Sequence, residues 1–303
     1  MLASLLFHLV VLLVAAPLLP GIIARTKAKI AGRRGQPLLQ LYFDLWKLFR
    51  KGMVLSTTTT WLFRAGPLAA VAVVLVAAML VPFGRMAAPL SFTGDLILFV
   101  YLFALGRFFT VLAALDTGSS FEGMGAAREA TFAVFAEPTL FVCFIVLARL
   151  SGSFSLEAMF AAANGGILAS DAAIPLLLVA FCLFIVLLAE NCRIPFDDPT
   201  THLELTMIHE VMVLDHSGPD LALILLGAAM KLLVSATLVV DLLLPASGHA
   251  GLDLLLFLAG LVAVAVAVGL VESAMARLRL VKVPQLLVGT TLLSFFALIL
   301  ILR

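Results

Sequence analysis

The chain has 303 residues, of which 63% are hydrophobic and only 12% charged, with a formal net charge of +1. A typical soluble domain is about 25% charged, and a soluble fold of this length could not cover its surface with so few polar groups. Composition therefore excludes a soluble globular domain. The apolar runs are long and continuous rather than short and alternating, which excludes a transmembrane barrel and leaves an all-α integral membrane protein.

A spanning helix needs roughly 20 mostly apolar residues. Eight such runs occur, near 2–24, 65–83, 93–115, 131–149, 172–190, 219–243, 252–275 and 284–302. The first has no basic stretch before it and no small-x-small cleavage site after it. The basic cluster that begins at Arg25 follows it, which predicts a retained first helix. With no long hydrophilic stretch between runs, residues 1–303 are expected to form one polytopic membrane domain.

Eight spans place both termini on one side. With that side outside the cytoplasm, the cytoplasmic segments are 25–64, 116–130, 191–218 and 276–283, and they hold 14 of the 19 Lys and Arg. This bias satisfies the positive-inside rule and predicts both termini outside the cytoplasm.

The first cytoplasmic segment carries PLLQLYFDLWKLFRK at 37–51. Leu38, Leu41, Leu45, Leu48 and Phe49 fall on one helical stripe, and Tyr42, Phe43 and Trp46 suit a membrane interface. The pattern predicts an amphipathic surface helix; a solvated connector is the plain alternative.

Ionisable groups within spans are costly and usually face a bundle interior or an ion path. Arg107, Glu137, Glu190, Lys231 and Glu272 fall in or at the ends of the apolar runs. Glu190 and Glu272 stand near helix ends, where snorkelling to the interface competes with an ion-path role. Lys231 lies about halfway along its span, which predicts a buried carboxylate partner or internal water; a purely structural ion pair is the competing reading.

Residues 191–218 are the most heavily titratable stretch. Asp198-Pro199 reads as an N-cap followed by proline at the first helical position, so a helix is expected from about Pro199 to Leu214. On it Leu203, Met207, Glu210 and Leu214 share a face, which places Glu210 on an apolar stripe suited to proton exchange near neutral pH. Simple packing of that stripe, or a solvated loop with a capped helix, is the bland alternative.

Other chemistries lack their residues. Cys143, Cys182 and Cys192 are far apart with no C-x-x-C pair, so no zinc or iron–sulfur group is expected on this chain. The five histidines give no H-E-x-x-H motif, and no nucleotide loop, nucleophile elbow or basic nucleic-acid surface occurs.

The run AENCRIPFDDPTTHLELTMIHE (189–210) resembles the cytoplasmic loop of the complex I subunit 1 family, with Glu190, Arg193, Pro195, Phe196, Asp197, Glu204 and Leu205 on the family's pattern. Ser217-Gly218 resembles the family's EYSG ending, with Asp215 and His216 replacing its Glu and Tyr. GRRGQPLLQLYFDLWKL (32–48) is similar to the segment after the family's first helix. LDTGSSFEGMGAAREATFAVFAEP (115–138) and ESAMARLRL (272–280) resemble the version in membrane-bound, formate hydrogenlyase-type (group 4) hydrogenases.

The resemblance implies a bundle of about eight tilted helices in a bacterial or archaeal cytoplasmic (inner) membrane, anchoring a peripheral redox arm. It also implies an acidic path linking that arm to antiporter-like pumping subunits. By motif, Glu129, Glu137, Glu190, Asp197, Glu204 and Asp215 would form the path; Glu210 joins it from helix periodicity, and Lys231 and Glu272 from their positions in the apolar spans. Segments 25–64 and 191–218 would dock the arm, through Arg33, Arg34, Asp44, Arg193 and Asp198. The implied partners are hydrogenase-like large and small subunits, a ferredoxin-like iron–sulfur subunit and antiporter-like membrane subunits. Iron–sulfur clusters and possible NiFe would belong to those partners, and this chain would itself be non-catalytic. Two carboxylates of the family's loop are absent here, which favours a hydrogenase-like complex over a quinone reductase. A free-standing secondary transporter is the reading of another class; the chain shows no inverted halves.

Overall fold

A computed structural model describes residues 2–163, 172–197, 207–245 and 248–302. In chain order the helices are α1 (Leu2–Ala15), α2 (Leu18–Ile30), α3 (Gln40–Phe49), α4 (Trp61–Leu80), α5 (Asp95–Asp116), α6 (Ser120–Ser151), α7 (Leu156–Ala163), α8 (Ala173–Glu190), α9 (Gly218–Leu243), α10 (Ala250–Ala274) and α11 (Lys282–Leu302). A 3-10 turn, Glu210–Val213, precedes α9. Eight candidate spans result among the described residues, with α1 and α2 together making the first, Leu2–Ile30. The protein is an all-α integral membrane protein, as its apolar runs require.

Helix ends depart from the run boundaries where polar residues continue a helix past the apolar stretch. α2 runs on to Ile30, so Arg25, Lys27 and Lys29 are helical. α6 starts at Ser120 and takes in most of the expected 116–130 connector, including Arg128 and Glu129. Its 32 residues make a rod of about 48 Å at 1.5 Å per residue, longer than the roughly 30 Å hydrocarbon core.

The bundle has one large apolar core shared by nearly all spans. α4 lies along α5 and α9, α6 along α11 and α8, and α2 along α10. The α2–α10 approach depends on Gly269: a Cβ there would sit 2.8 Å from the Thr26 Cβ. Large apolar side chains on the outer faces, such as Leu6, Phe108, Ile174 and Leu292, are exposed, as lipid-facing positions should be.

Polar contacts fix the ends. Asp116, the last residue of α5, accepts from the Thr60 N–H at 2.6 Å and the Phe63 N–H at 3.3 Å, capping the antiparallel α4. The Thr60 hydroxyl caps the same helix by accepting from the Leu62 N–H. The surface helix α3 buries Leu45 against the bundle, half-buries Leu41 and Leu48, and exposes Phe43 and Trp46. Its Tyr42 hydroxyl donates to the Val14 carbonyl, which the break before Pro17 leaves without a helical partner.

The expected helix from Pro199 to Leu214 is corrected over its described part. Met207 is irregular, Ile208 and His209 form a bend, only Glu210–Val213 form a short 3-10 turn, and Leu214 is exposed rather than sharing a buried stripe with Met207. The physical reason is Asp197. Its Oδ2 accepts from the N–H groups of Ile208 at 2.9 Å and His209 at 3.2 Å, so a new turn starts there instead of a helix passing through. Asp198, Pro199, His202, Leu203 and Glu204 lie outside the described residues.

Candidate functional site

Arg107 on α5 gathers carboxylates from two other helices. Its Nε lies 3.4 Å from Glu129 Oε1 and its Nη1 2.5 Å from Glu137 Oε1, both on α6; its Nη2 lies 2.5 Å from Glu190 Oε1, the last residue of α8. Glu190 Oε2 also meets Lys231 Nζ of α9 at 2.7 Å. Lys231 stands 5.5 Å from the centre of the Phe103 ring. Three acids and two bases are thus linked across four helices.

This pairing explains how charges so deep in the bundle are tolerated. An isolated buried charge is prohibitive, and mutual attraction repays desolvation only when partners are close and directional. Glu190, bridging Arg107 and Lys231, is not a snorkelling helix end: its side chain is 11% exposed, and α8 stops where Lys231 lies mid-helix. A carboxylate that shares its cation with two others can exchange one cation contact for another as proton occupancy or nearby charge changes.

Four members of the array, Arg107, Glu129, Glu190 and Lys231, line a cavity of about 490 Å³. One part of its wall is apolar, with Pro67, Val73, Val74 and Phe103. Another part is titratable, with Glu129, Cys192, Asp197, His209, Glu210 and His216. Burial lowers the pKa of the His209 imidazole below its ordinary value, and holds that of His216, stacked on Phe63 at 3.9 Å, down to about 4. Burial pushes the Cys192 thiol well above its usual range, helped by Glu129 and Asp197.

A second cluster fixes the loop after α8. Glu272 of α10, with no exposed side-chain surface, lies 2.9 Å from Lys27 and 3.5 Å from Arg193. Asp197 Oδ1 lies 2.9 Å from Arg277, and the Leu278 N–H donates to the Pro195 carbonyl at 3.0 Å. Arg128 of α6 donates to the Met207 carbonyl at 2.8 Å. Residues 193–197 and 207–209 are therefore tied to α2, α6 and the end of α10.

Of the expected relay residues, the structure brings Glu129, Glu137, Glu190 and Lys231 into one array and sets Asp197 and Glu210 on the wall of the same cavity. Glu272 stands in the loop-fixing cluster, beside Arg193. Asp215 is exposed, and its N–H donates to buried Glu122 at 3.2 Å. Arg33 and Arg34 are exposed, and half-buried Asp44 accepts from Gln40 Nε2 at 3.0 Å. Sequence reasoning missed Arg107 as the hub and the approach of Cys192 and His209 to Glu129. The signal for Arg107 was present: a mid-span guanidinium, never deprotonated, requires carboxylates beside it.

A family profile described as NADH dehydrogenase matches residues 2–302. Hydrogenase-4 component C of Escherichia coli (strain K12) is 37% identical over 254 residues, covering 84% of this chain and 78% of the relative. Formate hydrogenlyase subunit 4 of the same organism is 33% identical over 288 residues, covering 93% and 92%. The same fold occurs in the membrane-bound sulfane sulfur reductase, an archaeal respiratory membrane complex, with a TM-score of 0.86, 23% identity and 99% of each chain covered. The eight spans, the loop after α8 and these likenesses agree: the chain belongs to the NADH dehydrogenase subunit 1 family, as a membrane subunit of the group 4 hydrogenase and complex I-like kind.

Proposed function

We propose that this chain anchors the peripheral iron–sulfur/hydrogenase arm of an energy-converting redox complex and couples its turnover to ion translocation. The observation that carries the reading is the array Glu129–Arg107–Glu137 with Glu190–Lys231, of which all but Glu137 line the cavity that also reaches Asp197 and Glu210. The arm, comprising hydrogenase-like large and small subunits and a ferredoxin-like subunit, docks on 25–64 and 191–218, which face the cytoplasm. Arg33 and Arg34 are free to meet it as exposed cations. Redox change in the arm alters charge near the cavity, cation contacts shift among Glu129, Glu137 and Glu190, and antiporter-like neighbours receive the response.

The test is redox-driven ion uptake by the intact complex in liposomes. Glu190→Gln and Glu210→Gln should assemble and turn over with artificial acceptors yet lose or slow ion uptake. Wild-type coupling in both variants overturns the reading. A quinone reductase subunit is the second reading, supported by the mainly apolar wall and volume of the cavity; quinone co-purifying with the complex, or inhibition by quinone analogues, would favour it.

A further inference from the structure

Two side chains on the cavity wall, Cys192 and His209, have no part in that reading, and both approach Glu129 of the array. Glu129 of α6, Cys192 just past α8 and His209 before the 3-10 turn come from three separate segments, yet their donor atoms all lie within 4.8 Å of one another. No spacing in the sequence joins them: 63 positions separate the first two and 17 the last two. The fold therefore assembles a carboxylate oxygen, a sulfur and an imidazole nitrogen on the wall of one cavity.

We propose that Glu129, Cys192 and His209 form a binding site for a borderline-soft divalent metal ion, Zn2+ being the best match. The donor set decides the ion. Thiolate and imidazole select against Mg2+ and Ca2+, which take oxygen ligands. Three protein ligands of mixed S, N and O type with a fourth position open to water is a familiar zinc arrangement. Bonds of about 2.0–2.3 Å place tetrahedral donors roughly 3.3–3.8 Å apart, so the three atoms need to close by only about 1 Å.

Two further features suit this role. Cys192 holds a left-handed backbone, φ 50°, which is uncommon for a residue with a Cβ and is often kept where function requires it. Three carboxylates, those of Glu129, Asp197 and Glu190, act on the Cys192 sulfur against the single ammonium of Lys231, and they supply the negative field a dication seeks. Binding is an exchange: the ion takes up the thiolate, and the thiol proton leaves to solvent through the cavity. It also takes Glu129, whose contact with Arg107 Nε is the longest of the three at 3.4 Å. Occupation therefore withdraws one carboxylate from the Arg107 array. The site rests on this geometry alone and stands whether or not the array moves ions.

The experiment uses the intact detergent-solubilised complex. N-ethylmaleimide labelling of Cys192, read by peptide mass spectrometry, should slow at least tenfold on adding equimolar ZnCl2, and EDTA should restore it. CoCl2 should produce a thiolate-to-cobalt charge-transfer band that is absent from Cys192→Ala. After loading with ZnCl2 and removal of unbound metal, zinc content per complex should be one equivalent lower in Cys192→Ala and in His209→Gln than in the wild type. Unchanged labelling of wild-type Cys192 at any zinc concentration up to millimolar overturns the proposal, and this readout needs no variant to assemble.

Discussion

Lys231 Nζ and Glu190 Oε2 lie 2.7 Å apart, and the other oxygen of the same carboxylate lies 2.5 Å from Arg107. One carboxylate at the end of α8 thus joins a cation from α5 to a cation from α9. Removing either cation leaves Glu190 attached to the other, so the two contacts are energetically linked.

Lys231→Met is therefore expected to cost about 3 kcal/mol, the low end for a broken buried pair, because Arg107 still faces Glu190. Glu190→Gln leaves two cations unbalanced and should cost more. The double variant should recover about 1–3 kcal/mol relative to the sum of the two, as contacting residues do. Thermal unfolding midpoints of the four proteins give the cycle. Strictly additive costs would remove the pair from the account, and a Lys231→Ala complex with normal turnover and normal pumping would end any relay role for the lysine.

Glu272 makes a different prediction. Its side chain has no exposed surface and meets Lys27 of α2 and Arg193 of the loop. It sits away from the Arg107 array, so the contacts fit a clamp holding α2, α10 and the loop together better than a relay station. Glu272→Gln leaves Lys27 and Arg193 facing each other without a counter-charge, which should lower stability by about 3–5 kcal/mol. Coupling per assembled complex should persist. Unchanged stability with lost ion uptake would reverse the assignment.

The eight spans were legible because an unbroken apolar run of spanning length is a property of one segment. Lys231 was legible as a residue in need of a carboxylate for the same reason, and Glu190 is that carboxylate. Its identity was not legible, because α5, α6, α8 and α9 meet only in three dimensions. Over its described part, 207–214, the expected helix failed for a related reason. Periodicity sees a stripe at Met207, Glu210 and Leu214, but not that the Asp197 carboxylate takes the Ile208 and His209 amides and restarts the turn there. The same blindness hid Cys192 and His209, which as single residues carry no pattern.

His216 predicts a pH response. Burial under the Phe63 ring holds its folded-state pKa at about 4, below the unfolded value of about 6.5. Between those values only the unfolded chain takes the proton. Stability from this group is thus complete above about pH 6.5 and falls as pH drops towards about 4, by at most about 3 kcal/mol. Thermal midpoints between pH 7.5 and 5 should drop more for the wild type than for His216→Phe, which keeps a ring against Phe63 and has no proton to gain. Parallel pH profiles for the two proteins would assign the acid sensitivity to other groups.

The seating of α3 can be tested at a single hydrogen. Gly21 of α2 faces the backbone of Leu38, and a Cβ there would overlap the Leu38 carbonyl oxygen. A backbone oxygen cannot rotate aside as a side chain can, so Gly21→Ala must push the segment leading into α3 away from the bundle. That movement strains the burial of Leu45 and the Tyr42 contact with Val14. The cost should be about 1–3 kcal/mol, as for other overpacked contacts. Gly289 on α11 is the control, because a Cβ there meets nothing within 4 Å, and Gly289→Ala should be neutral or mildly stabilising. Hydrogen exchange should quicken across α3, Gln40–Phe49, in Gly21→Ala only. If α3 presents the arm-docking surface, that variant should also lose peripheral subunits on purification. Wild-type exchange across α3 in Gly21→Ala would mean that the helix is seated by its side chains and not by this backbone contact.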